Sequence, residues 1–463
     1  MVETLLTNSQ PTPDDFNLNQ PPGFRWKDVQ SALRKARETL PSTSVPSQDG
    51  KSYLTNATKI VRDALTNTSL PNPFRFIDAN EDLEDRNRVT ASPEYFFLNG
   101  EKGGPMATYL VSASQKKNFK LQMNTMVTRV LRKGDTATGV EVEATSPGGL
   151  SGTLKVTPGK GRVILSAGVF GSFKILLRSG IGPLDELSRL ANHTTEATKL
   201  PPRKDWIDRP VGHNLDDSPS IVVAVTLPYI EVYDWQHLWN VSKDRPDIQQ
   251  YLSHRSGPLA ELQGSLGPVS WDTVRGTDGR DRIVQWDVTS SDGMGLVPGG
   301  LIGFSPNLNL GKTSRGRLTL TSQGGNLLVN VSVTPFFNDE GGHDFAAVLE
   351  STKSIVGLIA AIPDSSFVLP PPGTPIEDYL RGVVATSVGA SLTRNHWTGS
   401  TKMGASCQDK SAVVDSTTVV CGMRNLHVVD AGIVNGVPTA NPQAMFVVVA
   451  ERAAEVILKL GRY

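Results

Sequence analysis

The most constraining stretch of this chain is Arg162-Val163-Ile164-Leu165-Ser166-Ala167-Gly168 and the residues that follow it. A short apolar run that ends in small residues is the pattern of a buried strand. It passes directly into Ser172-Phe173-Lys174-Ile175-Leu176-Leu177, which has helical spacing, and the helix is stopped by Ser179-Gly180-Ile181-Gly182-Pro183. Strand, tight small-residue turn and helix, in that order, belong to nucleotide-binding α/β domains. Such a turn leaves a helix N-terminus open to an anionic group.

The chain has 463 residues, more than the roughly 250–300 that one hydrophobic core organises, so two domains are expected. Lys and Arg total 46 against 46 Asp and Glu. That balance argues against a polyanion binder or a polybasic membrane binder. No run reaches the ~18 apolar residues of a membrane span. The N-terminus has no apolar stretch of the kind a signal peptide carries. N-x-[ST] sequons nevertheless occur at Asn56, Asn67, Asn192, Asn240 and Asn330, which weakly favours a secreted protein over plain surface asparagines. The cysteines, Cys407 and Cys421, suit either a short-loop disulfide or two buried thiols, and are too few for a Cys-only zinc site.

Elsewhere the periodicity predicts helices over 24–40 and around Tyr53–Leu65. It predicts a strand through Phe119, Leu121 and Met123, continued by Val127 and Val130, and short strands at Gly139–Val142 and Leu154–Val156. The middle, 216–384, mixes strand candidates at 282–289, 316–322 and 327–334 with a helix over 343–361, as in an α+β domain on an antiparallel sheet. The end returns to α/β texture. Leu426–Asp430 reads as a strand ending in an acid, Ala431-Gly432 as a turn, and Asn441-Pro442-Gln443 as the start of a helix running to about Leu460.

Chemistry-bearing candidates are sparse. His396, in Arg394-Asn395-His396-Trp397, reads alone as a structural histidine. Asn441 alone is a helix cap, and Asp430-Ala431-Gly432 alone is a turn. No H-E-x-x-H, Walker loop, G-x-S-x-G or strand-linked G-x-G-x-x-G occurs. Metal hydrolysis, phosphoryl transfer and serine hydrolysis therefore lack support, and no metal is expected.

Taken together the stretches resemble the glucose–methanol–choline (GMC) family of flavin oxidoreductases. Gly168–Gly182 is similar to its second signature, departing at Val169 and Phe173. Val211-Gly212-His213-Asn214-Leu215-Asp216-Asp217 is similar to the segment that follows. Asn395-His396-Trp397, Ala412–Asp415, Val428–Gly432 and Pro438–Gln443 resemble its C-terminal block. Within the family, Phe97–Gly100, Gly104–Leu110 and Val156–Gly168 look most like the flavodehydrogenase branch of fungal cellobiose dehydrogenases.

The resemblance implies an α/β, Rossmann-like FAD-binding domain of GMC type, interleaved with an α+β substrate domain on an antiparallel sheet. It assigns 1–96 to substrate-domain lead-in helices, 97–215 to the FAD-binding domain, 216–393 to the substrate domain and 394–463 to the FAD-binding domain's C-terminal part. The family's G-x-G-x-x-G unit finds no match in this sequence, so the FAD domain is expected to be N-terminally incomplete.

The resemblance gives His396 the role of base and Asn441 that of its partner on the same substrate oxygen. It places Val127, Asp430, Ala431, Gly432, Asn441, Pro442 and Gln443 on FAD, and Asn395 and Arg394 at the substrate. Arg394 stands where cellobiose dehydrogenases have a small residue. The implied activity is FAD-dependent oxidation of a CH–OH group, such as the anomeric hydroxyl of cellobiose, to a lactone. An external electron acceptor, a monomer, and an extracellular setting without nucleic-acid or membrane partners go with it. The alternatives are a catalytically impaired fragment without stable FAD binding, and a non-redox relative of hydroxynitrile-lyase type. Trp206, Trp235, Trp239, Trp271 and Trp286 are read as core residues or as platforms for sugar rings.

Overall fold

The computed structural model describes residues 9–193, 195–233, 245–261, 267–291, 300–323 and 326–462. Trp235, Trp239 and Asn240 lie outside the described residues.

Helices α1 (Pro13–Asn17), α2 (Gln30–Thr39) and α3 (Asn56–Leu65) open the chain, ahead of strands β1 (Arg75–Phe76) and β2 (Val89–Ala91). A hairpin, β3 (Phe97–Leu98) with β4 (Glu101–Lys102), leads to helix α4 (Tyr109–Ser114). A meander of β5 (Thr125–Lys133), β6 (Thr136–Ala144) and β7 (Gly152–Lys155) precedes β8 (Val163–Leu165) and α5 (Gly168–Arg178). After β9 (Ile181–Gly182), α6 (Leu184–Ala191) and β10 (Ile207–Asp208) come β11 (Val223–Leu227) and α7 (Pro246–His254). Then follow β12 (Val269–Arg275), β13 (Asp281–Ser291), β14 (Gly300–Leu308), β15 (Arg317–Gln323) and β16 (Asn326–Val333). The chain ends with α8 (His343–Ile359), β17 (Ser366–Leu369), α9 (Ile376–Thr386), β18 (Leu426–Val428) and α10 (Gln443–Lys459).

The fold divides around two cores. In the first, β8 and β18 pair in parallel, with Leu426 opposite Val163 and Val428 opposite Leu165. Helix α5 packs beside them through Val169, Phe173, Leu176 and Leu177, and α10 through Met445, Val448 and Val449. These spacings of three and four residues each make one apolar stripe on a helix. The second core lies on a seven-stranded sheet in the order β1-β2-β12-β13-β14-β11-β17, antiparallel except for β1 with β2. Helices α3 and α8 cover one face of it, through Ala57, Val61, Val348 and Ile355.

Strand alternation explains how one sheet serves two purposes. In β13, Val284, Trp286 and Val288 face the helices, and Trp286 donates its Nε1–H to Ser351 Oγ at 2.9 Å. Gln285 and Asp287 point to the opposite face by the two-residue period. In β14, Ile302, Phe304 and Leu308 join the helix side, which turns Ser305 and Asn307 the other way. Trp271 and Trp286 are both fully buried, which settles them as core residues; Trp206 is half-buried.

Three expectations change. Residues 119–123 form no strand: Phe119, Leu121 and Met123 are exposed, and regular pairing starts at Thr125. Their alternation lacks a partner strand, and alternation without a ladder does not make a sheet. The helix expected over 24–40 is a short turn at Trp26–Asp28 followed by α2. The lead-in 1–96 is shared between the cores. Phe16, Leu33 and Ala36 join the first, while Ala57, Val61 and Phe74 join the second. The hairpin β15–β16 likewise sends Leu318, Leu320 and Leu327 into the first core. Cys407 and Cys421 are joined as a disulfide, with Cα atoms 5.3 Å apart. No helix among the described residues is long and apolar enough to cross a membrane.

His427 on β18 is fully buried and bonded to Thr418 Oγ1 at 3.0 Å and the Arg162 guanidinium at 3.2 Å. Burial, and then the Arg162 charge, hold its pKa down to about 4 from an ordinary value of 6.5. The neutral ring therefore contributes stability that is complete above about 6.5 and lost as pH falls toward about 4. The stability difference between wild type and His427→Asn is expected to narrow across that window in urea titrations. A difference independent of pH would show that the buried ring still takes up a proton.

Candidate active site

The site forms where the free face of β13 and β14 meets two loops of the first core. The loop after Arg394 is placed by its backbone. His396 donates its N–H to Asp217 Oδ1 at 2.7 Å, and Thr398 and Asp216 exchange backbone hydrogen bonds at 2.9 and 3.0 Å. Gly399 adopts φ +81°, and a Cβ there would sit 2.2 Å from the Asn214 carbonyl, so only glycine passes. Asp217 also accepts the Ser218 N–H at 2.8 Å and the Thr393 hydroxyl. Burial pushes its carboxyl up to about 7, against these hydrogen bonds and the Lys312 charge.

The Asn441 loop is placed from the other side. Asp15, held by the capping box of α1, accepts the Thr439 N–H at 2.6 Å and its hydroxyl at 2.7 Å. Trp271 Nε1 donates to the Thr439 carbonyl at 3.2 Å. Pro442 occupies the cap position of α10 with no side-chain cap. Asn441, expected to cap, instead turns its side chain into the site.

These constraints bring His396 and Asn441 together across 45 residues of sequence, with Asn441 Nδ2 3.3 Å from His396 Nε2. Asn441 Oδ1 accepts from Gln285 Nε2 at 2.7 Å, which also donates to Asp287 Oδ1 at 2.7 Å. Asp287 Oδ2 accepts from Asn307 Nδ2 at 2.9 Å and from the Arg394 guanidinium at 2.6 Å. On the far side of the imidazole, Ser218 Oγ lies 3.5 Å from Nδ1. Burial first, then the Arg394 charge, hold the His396 pKa down to about 4, opposed by Asp287. At neutral pH the ring is uncharged and able to accept a proton.

Of the other sequence-predicted residues, some reach this pair and others belong to the first core. Arg394 reaches it through Asp287. Asn395 is exposed at φ +60° and accepts a hydrogen bond from Trp397 Nε1 at 3.4 Å. Asp430 links the two βα turns of the first core. Its carboxylate accepts the Gly168 N–H at 3.1 Å, the Ser172 hydroxyl at 2.5 Å and the Gly432 N–H at 2.8 Å. Ala431 is half-buried beside it. Gly432 has no room for a side chain, since a Cβ would lie 2.4 Å from Thr401 Oγ1. Gln443 carries a buried Oε1 without a hydrogen-bond partner among the described residues. Val127 sits on β5 beside a register shift and packs against the first core, outside the His396 network.

Sequence reasoning missed Asp217, Ser218, Gln285, Asp287, Asn307 and Asn309. The signal was present in β13, where polar Gln285 and Asp287 alternate with Val284, Trp286 and Val288. That pattern is the ordinary one for a solvent-facing edge, and only the second core layer makes it a buried polar face.

Models of the GMC oxidoreductase family match residues 16–220 and 312–450. The chain belongs to that family. Oxygen-dependent choline dehydrogenase of Vibrio vulnificus is 27% identical over 387 residues, covering 78% of this chain and 60% of that protein. A glucose-methanol-choline family oxidoreductase of Annulohypoxylon moriforme is 27% identical over 427 residues, covering 85% and 65% respectively. The chain thus spans less than two thirds of the length of these two GMC relatives. Formate oxidase of Aspergillus oryzae shares the fold, with a TM-score of 0.76 at 20% identity over 98% of this chain and 82% of that one. The fold class is accordingly the α/β fold of GMC oxidoreductases.

Asp430→Ala leaves two backbone N–H groups and a hydroxyl without their acceptor. It is expected to lower unfolding free energy by roughly 2–4 kcal/mol in urea titrations; a loss below about 0.5 kcal/mol would show that the carboxylate does not hold the two turns together.

Proposed function

We propose that this GMC oxidoreductase is FAD-dependent and oxidises a CH–OH group, with His396 as the base and Asn441 as its partner on the substrate oxygen. The observation that carries the reading is the meeting of a neutral imidazole and a side-chain amide, 3.3 Å apart, at the uncapped start of α10. His396 Nε2 takes the hydroxyl proton, and Asn441 orients the oxygen without competing for that proton.

The residues present fit a flavin. Helix α10 begins without a side-chain cap, leaving N–H groups for an acceptor, while at α5 the Asp430 carboxylate takes the first N–H, that of Gly168. Ser166 and Ala167 are exposed at the carboxyl end of β8, where open α/β sheets take their ligands. The Oε1 of Gln443 and the hydroxyls of Thr398 and Thr401 are buried without hydrogen-bond partners among the described residues. In this reading Gly168, Asp430, Ala431 and Gly432 border the dinucleotide part, Val127 the adenine end, and Asn441, Pro442 and Gln443 the ring system. FAD supplies the acceptor for the hydride that leaves the substrate carbon.

The finer reading is a neutral sugar, oxidised at its anomeric hydroxyl to a lactone as in cellobiose dehydrogenases. The Asp287–Arg394 pair supports a neutral substrate, because the two charges beside the base cancel. Arg394 and Asn395 border the sugar, and an external acceptor reoxidises the flavin. An extracellular setting is supported by the Cys407–Cys421 disulfide and by exposed sequons at Asn67, Asn192 and Asn330.

With FAD bound, anaerobic addition of cellobiose is expected to bleach the flavin absorbance, and His396→Ala to slow bleaching by about 10²–10⁴-fold. Undiminished bleaching in that variant would remove His396 from the chemistry. The reduction rate is further expected to fall only as pH drops toward about 4. A loss centred on the ordinary histidine value of 6.5 would show that the ring is not desolvated as described.

A further inference from the structure

We infer that His396, Ser218, Asn309, Gln285 and Asn441 form a closed, one-way hydrogen-bond ring that fixes the imidazole with its proton on Nδ1 and its lone pair on Nε2. The tautomer follows from geometry; its use in catalysis rests on the reading of His396 as the base.

The direction of each link is set by groups that act in only one sense. Along one arm, the Asn309 amide lies 2.9 Å from the Thr439 backbone carbonyl. A carbonyl only accepts, so that end of the amide is Nδ2. The opposite end, Oδ1, then takes the Ser218 hydroxyl proton at 2.5 Å. With its one proton committed, Ser218 Oγ acts only as an acceptor toward His396 Nδ1 at 3.5 Å. This arm requires a proton on Nδ1.

The other arm starts from Asp287. Its carboxylate is anchored by Arg394 at 2.6 Å and Asn307 at 2.9 Å, and only accepts. The Gln285 amide end 2.7 Å from it is therefore Nε2, and the Asn441 atom 2.7 Å from the same nitrogen is Oδ1. That leaves Asn441 Nδ2 facing His396 Nε2 at 3.3 Å, which requires a lone pair there. The arms reach the same tautomer independently, and Asn309 Nδ2 closes the ring by donating to Gln285 Oε1 at 2.9 Å.

Gln285 and Asn309 are fully buried, and Asp287 is 4% exposed. Turning any amide over would set donor against donor or acceptor against acceptor within a buried network, where an unmatched polar group is costly. Ser218, Asn309, Gln285 and Asp287 are thus positioning residues, acting on the substrate only through His396 and Asn441.

The test is nitrogen NMR of the full chain labelled with ring-¹⁵N histidine, with the His396 signals assigned by their loss in His396→Asn. At pH 7 the expected pattern is a protonated Nδ1 and a bare Nε2; a protonated Nε2 in the wild type overturns the inference. Ser218→Ala removes the acceptor for Nδ1–H, and Asp287→Asn removes the anchor that orients Gln285 and Asn441. Each is expected to raise the Nε2–H form to a measurable share and to lower kcat about tenfold or more, with a smaller effect on KM. An unchanged tautomer in the double variant Ser218→Ala/Asn441→Ala, which lacks both contacts to the imidazole, overturns the ring even if Asp287→Asn does not fold. An intact wild-type tautomer with no flavin reduction would defeat the base assignment and leave the ring standing.

Discussion

The site depends on two adjacent buried carboxylates, Asp216 and Asp217. Asp216 accepts from Lys312 Nζ, itself buried, and from the Val437 N–H at 3.1 Å, with Arg315 at 3.5 Å. Asp217 holds the backbone of His396 and the hydroxyl of Thr393. Between them they tie the loop after β10 to the end of the sheet, to the His396 loop and to the turn before Thr439. A buried carboxylate is costly unless donors surround it. The donors here come from segments far apart in sequence, so the carboxylates are satisfied only when those segments meet. The same arrangement that lowers their cost assembles the site.

The seven-stranded sheet serves the site through its second face. One row of side chains in β13 and β14 packs on α8 and is ordinary apolar core. The other row, Gln285, Asp287 and Asn307, carries polar groups into an interior that the first core closes. Helical elements seldom offer this, because neighbouring positions on one helical face share a single environment. A strand separates adjacent residues onto opposite faces, so it can bury Trp286 against a helix and present Gln285 and Asp287 to a reacting group. Rigidity follows as well, since β13 is paired on both sides by β12 and β14.

What was legible in the sequence is what local pattern determines. The apolar run at 163–165, the glycines after α5, the acid at Asp430 and Pro442 at a helix start all report on one segment at a time, and the structure places them as strand, turn, turn and helix start. Of the Asp430 contacts only the one with the Gly432 N–H lies within its own segment; those with Gly168 and Ser172 join it to the other βα turn, and no local pattern reports them. The alternation at 119–123 misled because a strand needs a neighbour, and periodicity does not show whether one exists. The polar row on β13 was visible as pattern and unreadable as function. Whether Gln285 faces water or Asn441 is decided by which layer covers it, and that is a property of the whole fold. Asn441 itself read as a cap because a residue before Pro and an apolar helix usually is one. Here Pro442 holds the cap position and leaves the amide free.

The Asp287–Arg394 pair shows why charge is used at the edge of an otherwise neutral ring. A ring built only of amides, a hydroxyl and an imidazole has two senses of circulation with nearly equal hydrogen-bond counts. An amide turned over exchanges donor for acceptor at little cost to its own packing, so packing alone does not select a sense. An acceptor that cannot become a donor breaks the tie, and there are two of them, the Asp287 carboxylate and the Thr439 carbonyl. The carboxylate selects more strongly, because a charged acceptor makes hydrogen bonds roughly twice as strong as a neutral one. Left alone it would also raise the proton affinity of His396 and move the base toward its charged form. Arg394, paired with Asp287 on the side away from Gln285, offsets that field and is itself a cause of the lowered His396 pKa. One ion pair thus sets the orientation of the neutral groups while keeping the imidazole uncharged, which are the two conditions a base at this position requires.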